Sequence, residues 1–308
     1  MLDIKENIPL KEYTTFNIGG NAKYFVEVTT VDELKEALDF ARDKDLKYFI
    51  LAGGSNVLFS DDGFDGVVIK IKIGGIEIKS EQVTVGSGVT LLVFLEEVAE
   101  SGLSGGENLA GIPGSVGGAV RGNAGAFGTE IKDILQNARA LNVETGEIEV
   151  FDNARCEFKY RKSFFKKNDN YIIVDTTFKL VKGEKEQIKS AMEEIITKRN
   201  AKHMQNIKSA GSFFINPTVD ENVQKMFEHD TGQKSRDGRV PAGWLLDSCG
   251  IFQKRIGDIQ AGLEHANYFI NRGEGTADQV IQLSALAKTR IRDEYGVHLK
   301  EEVVMAGF

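Results

Sequence analysis

Residues 111–128 read GIPGSVGGAVRGNAGAFG, and the fold turns on what so bare a stretch is for. Seven of its residues are glycine, three are alanine, and Arg121 carries its single charge. A surface linker is richer in serine, lysine and glutamate. A core helix is not interrupted by glycine this often, because each glycine costs about 1 kcal/mol against alanine. Glycine instead permits positive φ and lets a ligand approach the backbone closely. Successive backbone N–H groups then form a concave anion site. A second stretch, LAGGSN at 51–56, has the same character, with Ser55 and Asn56 adding short polar side chains. Both stretches also read as tight turns between strands. The length of 111–128 favours backbone presented to a large flat ligand.

Two nucleotide signatures fail. The phosphate loop GxxxxGK followed by Ser or Thr is absent, and after Gly86-Ser87-Gly88 a leucine, Leu91, stands where the dinucleotide pattern wants its third glycine. Around these loops the chain of 308 residues is ordinary for a globular protein, with 41% hydrophobic and 27% charged residues. A net charge of −8 argues against a general nucleic-acid binder. No apolar run approaches the ~18 residues of a membrane span, and the N-terminus lacks a signal-peptide pattern. Cys156 and Cys249 have no zinc-type spacing and the four histidines are scattered, so no metal is expected.

Periodicity places elements on both sides of the loops. Thr30 and Glu33 make a capping box before Leu34, Ala37, Leu38 and Ala41. KYFIL, GVVIKI and QVTV read as strands, and TLLVFLEEVAESG as a helix stopped by Gly102. ARALNVETGEIEVF reads as a hairpin turning at Thr145-Gly146, YIIVDTTFKLV as a longer strand, 184–199 as a helix and GSFFIN as a strand. PAGWLLDSCG reads as a short helix, and a longer one runs from Thr276, with Gln279 completing its box, to about Tyr295. Strands and helices mix without strict alternation, which predicts an α+β class.

The motifs TTFNIGGNA (14–22), LAGGSN, residues 111–128, KYRKS (159–163) and AGSFFINP (210–217) occur in this order. Together they resemble the UDP-N-acetylenolpyruvoylglucosamine reductase (MurB) family, in the shorter form lacking a long substrate-covering loop, from about residue 9 to 308. The resemblance implies a two-part FAD-binding domain of the vanillyl-alcohol-oxidase/PCMH type and a C-terminal α+β substrate-binding domain. Three regions are expected: 1–70 rejoined by 299–308, 71–200, and 201–298. It implies non-covalent FAD against Gly53, Gly54, Ser55, Asn56, Val57, Gly111, Ile112, Pro113, Gly114, Ser115, Gly117, Gly118, Asn123, Ala124 and Gly125. NADPH is the implied co-substrate and a UDP-sugar enolpyruvyl ether the substrate, in peptidoglycan precursor synthesis. A cytoplasmic monomer, bound to neither nucleic acid nor membrane, is expected.

The same resemblance assigns the chemistry. Arg161 matches the catalytic arginine; a guanidinium fork suits a planar carboxylate. Ser212 matches the proton donor. Glu302, with Glu301 as its neighbouring rival, matches a carboxyl that polarises the intermediate or relays a proton. Tyr160, Arg199, Lys202 and Asn216 fall at substrate positions. The composition alone reads these differently: Arg161 as a surface cation, Ser212 as a strand-start hydroxyl, Arg199 and Lys202 as helix-end charges. The sequence departs from the family at Val304, where a basic residue is usual, at Phe252-Gln253, and at Met204 and Lys208, where prolines are usual. Two rivals follow: another FAD enzyme of this fold acting on an alcohol or sugar, and an inactive flavin- or nucleotide-binding protein.

Overall fold

The computed structural model describes residues 2–201, 207–262 and 264–308. Among these the chain forms eight α-helices: α1 (Val31–Asp43), α2 (Leu91–Glu100), α3 (Val116–Gly122), α4 (Phe164–Lys167), α5 (Lys185–Ala201), α6 (Glu221–Thr231), α7 (Ala242–Ser248) and α8 (Ala277–Tyr295). The α+β expectation holds. The chain divides into two compact units, each interrupted in sequence. Unit 1 contains Met1–Ile8, Ala22–Gly53 and Asp65–Ala201; unit 2 contains Pro9–Asn21, Gly54–Phe64 and Lys202–Phe308.

Unit 1 has two larger sheets, beside two short two-stranded ones. In the first, the strand order is Lys5–Pro9, Asn21–Val28, Phe64–Ile71, Lys47–Leu51, with the last two parallel. Alternate residues Val67, Ile69 and Ile71 bury against Leu34, Ala37, Leu38 and Ala41 of α1, as period-2 and period-3.6 patterns require. Both halves of the Thr30–Glu33 capping box form. The second sheet is antiparallel, in the order Ile148–Asp152, Leu135–Asn142, Tyr171–Lys179, Gln82–Gly86, Ile76–Lys79. Its core takes Phe94 and Leu95 of α2, Val116 and Val120 of α3, and Ile188, Met192 and Ile195 of α5. Gly102 and Gly146 take the left-handed conformations that end α2 and turn the hairpin.

Unit 2 is built on the antiparallel order Ser209–Ser212, Tyr268–Asn271, Ile259–Ala261, Arg255–Ile256. Beside it, Val57–Phe59 pairs in parallel with the last strand, Val304–Ala306. Its core gathers Phe16, Ile18 and Leu58 with Phe213, Phe214, Phe269 and the buried face of α8. The two units cut the chain differently from the three expected regions. These three early apolar residues have their buried partners in the C-terminal third, so Pro9–Asn21 and Gly54–Phe64 cluster there.

Three local readings are corrected. The glycine-rich stretch does contain a helix, α3, capped by Ser115, which accepts from the Gly118 N–H at 3.3 Å. The strand read at GSFFIN lies earlier, at Ser209–Ser212. Helix α6, with Asp220 as its N-cap and Gly232 past its end, was not anticipated.

Helix α8 depends on a residue far away in sequence. Both carboxylate oxygens of Asp61 accept first-turn N–H groups, from Ala277 at 2.8 Å and Asp278 at 3.0 Å. Replacing Asp61 by Ala should lower stability by about 1 kcal/mol, the usual loss for a helix cap. A urea melt should show a lower midpoint with unchanged slope; an unshifted midpoint would contradict this role.

Candidate active site

The two bare loops touch through their backbones inside unit 1. A Cβ on Gly53 would lie 2.5 Å from the Cα of Gly114. The turn before α3 is pinned by Leu91 N–H to Gly114 O at 3.0 Å and by Val116 N–H to Val89 O at 2.8 Å. Gly117 packs on Ser87, donating its N–H to the Ser87 carbonyl at 2.9 Å. These N–H groups at the start of α3 are therefore used within the protein. Part of the glycine content serves close packing, which is the tight-turn reading.

The remainder faces outward. Gly53, Pro113 and Gly118 are exposed. A Cβ on Gly118 would make only ordinary contact, 3.5 Å to Ala52 Cβ, and one on Gly122 would meet nothing within 4 Å. No hydrogen bond among the described residues uses the N–H of Gly53. Beneath this patch the half-buried Lys70 reaches the Ala52 carbonyl at 3.4 Å. Burial, followed by the neighbouring Lys72, pulls its pKa down. The Ser87 hydroxyl, beside Gly117, is buried with no partner among the described residues. A bare surface, a free backbone donor and a cation behind the loop fit an anionic dinucleotide such as FAD.

The expected cofactor residues divide accordingly. Ser115 is spent on capping. Ile112 and Ala124 pack against the unit 1 core, and Val57 is buried in its strand. Asn123, fully buried, ends α3 in a left-handed conformation at φ +43. Its amide gives both hydrogens to protein acceptors, Glu130 Oε2 at 3.0 Å and the Lys159 carbonyl at 3.1 Å, and accepts the Lys132 N–H at 3.1 Å. Its side chain is thus committed to the protein rather than to a ligand. In unit 2 the Gly54 carbonyl accepts from Thr15 N–H at 3.0 Å, and a Cβ on Gly54 would strike the Tyr13 carbonyl.

Arg161 sits on a tight turn. Lys159 and Lys162 exchange N–H···O bonds, both 3.0 Å, leaving Tyr160 and Arg161 at the corner. Arg161 has φ +55, a conformation that bulky residues adopt at a cost. Its Nη2 donates to the Gly125 carbonyl at 3.2 Å, and its guanidinium lies 5.2 Å from the Tyr160 ring centroid. Arg199 lies in the last turn of α5, its Nε buried and without a hydrogen-bond partner among the described residues. Lys202 lies outside the described residues.

In unit 2, Ser212 and Glu302 lie on adjoining backbone. Phe214 and Glu301 form an antiparallel bridge, and Glu302 N–H donates to Phe213 O at 2.8 Å. Glu301 is taken up by an ion pair with Lys288 and a 3.3 Å bond from Ser284 Oγ. Glu302, by contrast, contributes its backbone to the pairing with Phe213. Asn56 brackets it, donating from Nδ2 to the Glu302 carbonyl at 3.2 Å and accepting from Val304 N–H at 3.1 Å. The Asn216 side-chain oxygen accepts the Ala242 N–H at 2.9 Å at the start of α7. Cys156 is buried, which pushes its thiol up to about 12 and removes it as a nucleophile. Among the described residues no group of three His, Cys, Asp or Glu side chains is placed to hold a metal, and no helix is long and apolar enough to cross a membrane.

Lys70 and Thr15 were not singled out from the sequence. Their types carry no signal; only the strand register that sets Lys70 beside Leu51 reveals the first.

Comparison with known proteins places two stretches of the chain in two family models. Residues 22–152 match an FAD binding domain, and residues 202–306 match the C-terminal domain of UDP-N-acetylenolpyruvoylglucosamine reductase. The chain is 35% identical over 306 residues to the UDP-N-acetylenolpyruvoylglucosamine reductase of Solibacter usitatus, covering 99% of this chain and 97% of that protein. It is 34% identical to the Clostridioides difficile enzyme of the same name, covering 99% and 94%. The crystal structure of the Thermus caldophilus reductase, MurB, superposes with a TM-score of 0.79 at 31% identity, covering all of both chains. With an FAD-binding half and a reductase-specific half on one chain, this protein belongs to the UDP-N-acetylenolpyruvoylglucosamine reductase family.

Proposed function

We propose that the chain reduces UDP-N-acetylglucosamine enolpyruvate to UDP-N-acetylmuramate, with NADPH as reductant and FAD as a non-covalent cofactor, in peptidoglycan precursor synthesis. The observation that carries this is the pairing of an FAD binding domain with a reductase C-terminal domain at full length. An alcohol or sugar oxidase has no support from the second half.

Bound FAD would supply the hydride carrier between NADPH and the enolpyruvyl double bond. The protein's part is to hold the substrate and supply a proton. Residues 53, 113–114 and 118 offer bare backbone to the cofactor, with Lys70 favouring its negative charge. Arg161 is suited to the substrate carboxylate, where a fixed guanidinium stabilises charge that develops on the adjoining carbon. Ser212 Oγ–H is the donor to that carbon; a hydroxyl is a weak acid, but an enolate-like carbon is a strong enough base to take its proton. Glu302 would polarise the same centre or return a proton to Ser212. Arg199, a guanidinium, is suited to a diphosphate, as Tyr160 and Asn216 are to the rest of the substrate. A monomeric state is part of this proposal.

The two half-reactions test it separately. Anaerobic NADPH should bleach the yellow protein, and the enolpyruvyl nucleotide should restore its colour. Bleaching without recovery would remove the substrate assignment. Ser212→Ala should leave bleaching intact and slow recovery by roughly 10²–10⁴-fold, the usual share of a positioned proton donor. An equal loss in both halves would count against Ser212 as donor.

The glycines give a second test. Gly53→Ala should destabilise the protein by about 1–3 kcal/mol, because its Cβ has no room beside Gly114. Gly118→Ala should keep the melting temperature yet retain FAD at least ~10-fold more weakly, because only a ligand competes for that space. Unchanged FAD retention in Gly118→Ala would move the cofactor elsewhere.

A further inference from the structure

We propose that Asn123 is a positioning residue for Arg161: it fixes the turn that carries the guanidinium to the end of α3. This rests on the reading of Arg161 as the residue that meets the substrate carboxylate.

The geometry is closed on every side of the amide. Only one orientation of the Asn123 side chain satisfies its neighbours, with Oδ1 accepting from Lys132 N–H and Nδ2 donating to Glu130 and to the Lys159 carbonyl. The Lys159 carbonyl therefore receives two bonds, one from Lys162 N–H, which closes the turn, and one from Asn123, which ties the closed turn to α3. The turn does not need Asn123 to close. What Asn123 adds is its place.

Two further ties come from the same short segment. Ser163 Oγ donates to the Arg121 carbonyl at 2.7 Å, just past the turn. The Gly125 carbonyl takes the Arg161 Nη2 at 3.2 Å. Residues 121–125 thus hold the arginine at the base of its turn on both flanks and at its tip. Within that segment Asn123 is the one polar side chain that points inward; Arg121 turns outward to Asp169 at 2.9 Å, and the others are glycine and alanine. The left-handed backbone at 123 does not itself demand asparagine, since glycine adopts it more easily. The side chain is what the position requires.

The experiment uses FAD-loaded full-length protein and compares Asn123→Gly, Arg161→Ala and the double variant. Gly keeps the left-handed backbone and removes only the amide. FAD content, melting temperature, affinity of the oxidised protein for the enolpyruvyl nucleotide, and both half-reaction rates are measured. Asn123→Gly is expected to bind FAD and to react with NADPH within about twofold of the parent, while binding the nucleotide more weakly and recovering colour about 10²-fold more slowly, the loss expected from a misplacement near 1 Å. In the Arg161→Ala background the same substitution should change recovery less than about twofold, because the group it places is gone. An equal loss in both backgrounds, or no loss in the parent while Arg161→Ala is slow, overturns the proposal and leaves the Arg161 reading intact. A normal recovery rate in Arg161→Ala overturns that reading itself. Should Asn123→Gly not fold, Ser163→Ala cuts the second tie and enters the same cycle against Arg161→Ala, with the same expected and contrary results.

Discussion

The constraint on which unit 1 depends is the contact of two backbones with no side chain between them. With Gly53 and Gly114 this close, the loop after strand Lys47–Leu51 and the turn before α3 behave as one piece. The turn's carbonyl and the first N–H of α3 are then fixed to residues 89–91, next to α2. A methyl group at Gly53 would push the two bare stretches apart. Glycine here has two distinct jobs. At 53 and 117 it admits another backbone; at 118 and 122, and on the open side of 53, it leaves the surface bare. Counting glycines cannot separate these jobs, because both strip the side chain for opposite reasons.

This explains which parts of the fold were legible. Capping boxes at Thr30–Glu33 and Thr276–Gln279 are local hydrogen bonds, so four residues suffice to announce α1 and α8. Helix α3 contradicts its own propensity: its glycines cost helix stability, and packing of Val116 and Val120 into the core outweighs that cost. Helix α6 was hidden for the opposite reason. Only Val223 and Phe227 are buried on it, too thin a stripe to stand out. The GSFFIN reading failed because the backbone after Ser212 meets scattered partners, Asn267, Lys300 and Glu302, rather than one continuous strand, and Phe214 is paired by a side chain. Asn267 accepts from Phe214 N–H at 2.9 Å and donates to Phe214 O at 2.8 Å, taking the place of a neighbouring strand.

The division into units was less legible than the elements. Nothing local in Phe16, Ile18 or Leu58 says that their partners lie some 200 residues later. The strands that make the link are three residues long, Val57–Phe59 and Val304–Ala306, and too short for periodicity to specify a partner. For the candidate site, motif order nominates Arg161, Ser212 and Glu302, and the structure adds that the neighbouring Glu301 is ion-paired with Lys288. What no motif conveyed is which short polar residues serve a ligand and which serve the protein.

Asparagine shows why. Near stripped backbone few side chains are available to satisfy buried carbonyls and N–H groups, yet an unpaired one costs about 1–3 kcal/mol. Asparagine carries an acceptor and two donors on one methylene, a mimic of the peptide group at short reach. The chain uses it that way repeatedly. Asn123 ties three segments of unit 1; in unit 2 Asn56 holds the Glu302 backbone, Asn216 starts α7, and Asn271 accepts from Gly273 and Gly275 while reaching the carbonyls of Phe16 and Asn17. A sequence reading that places Asn beside glycine meets a real association, and within the protein that association has its own physical cause. The glycines create the need for hydrogen bonds, and the asparagines meet it from within, so that the bare surface at 53 and 118 can be kept for what binds there.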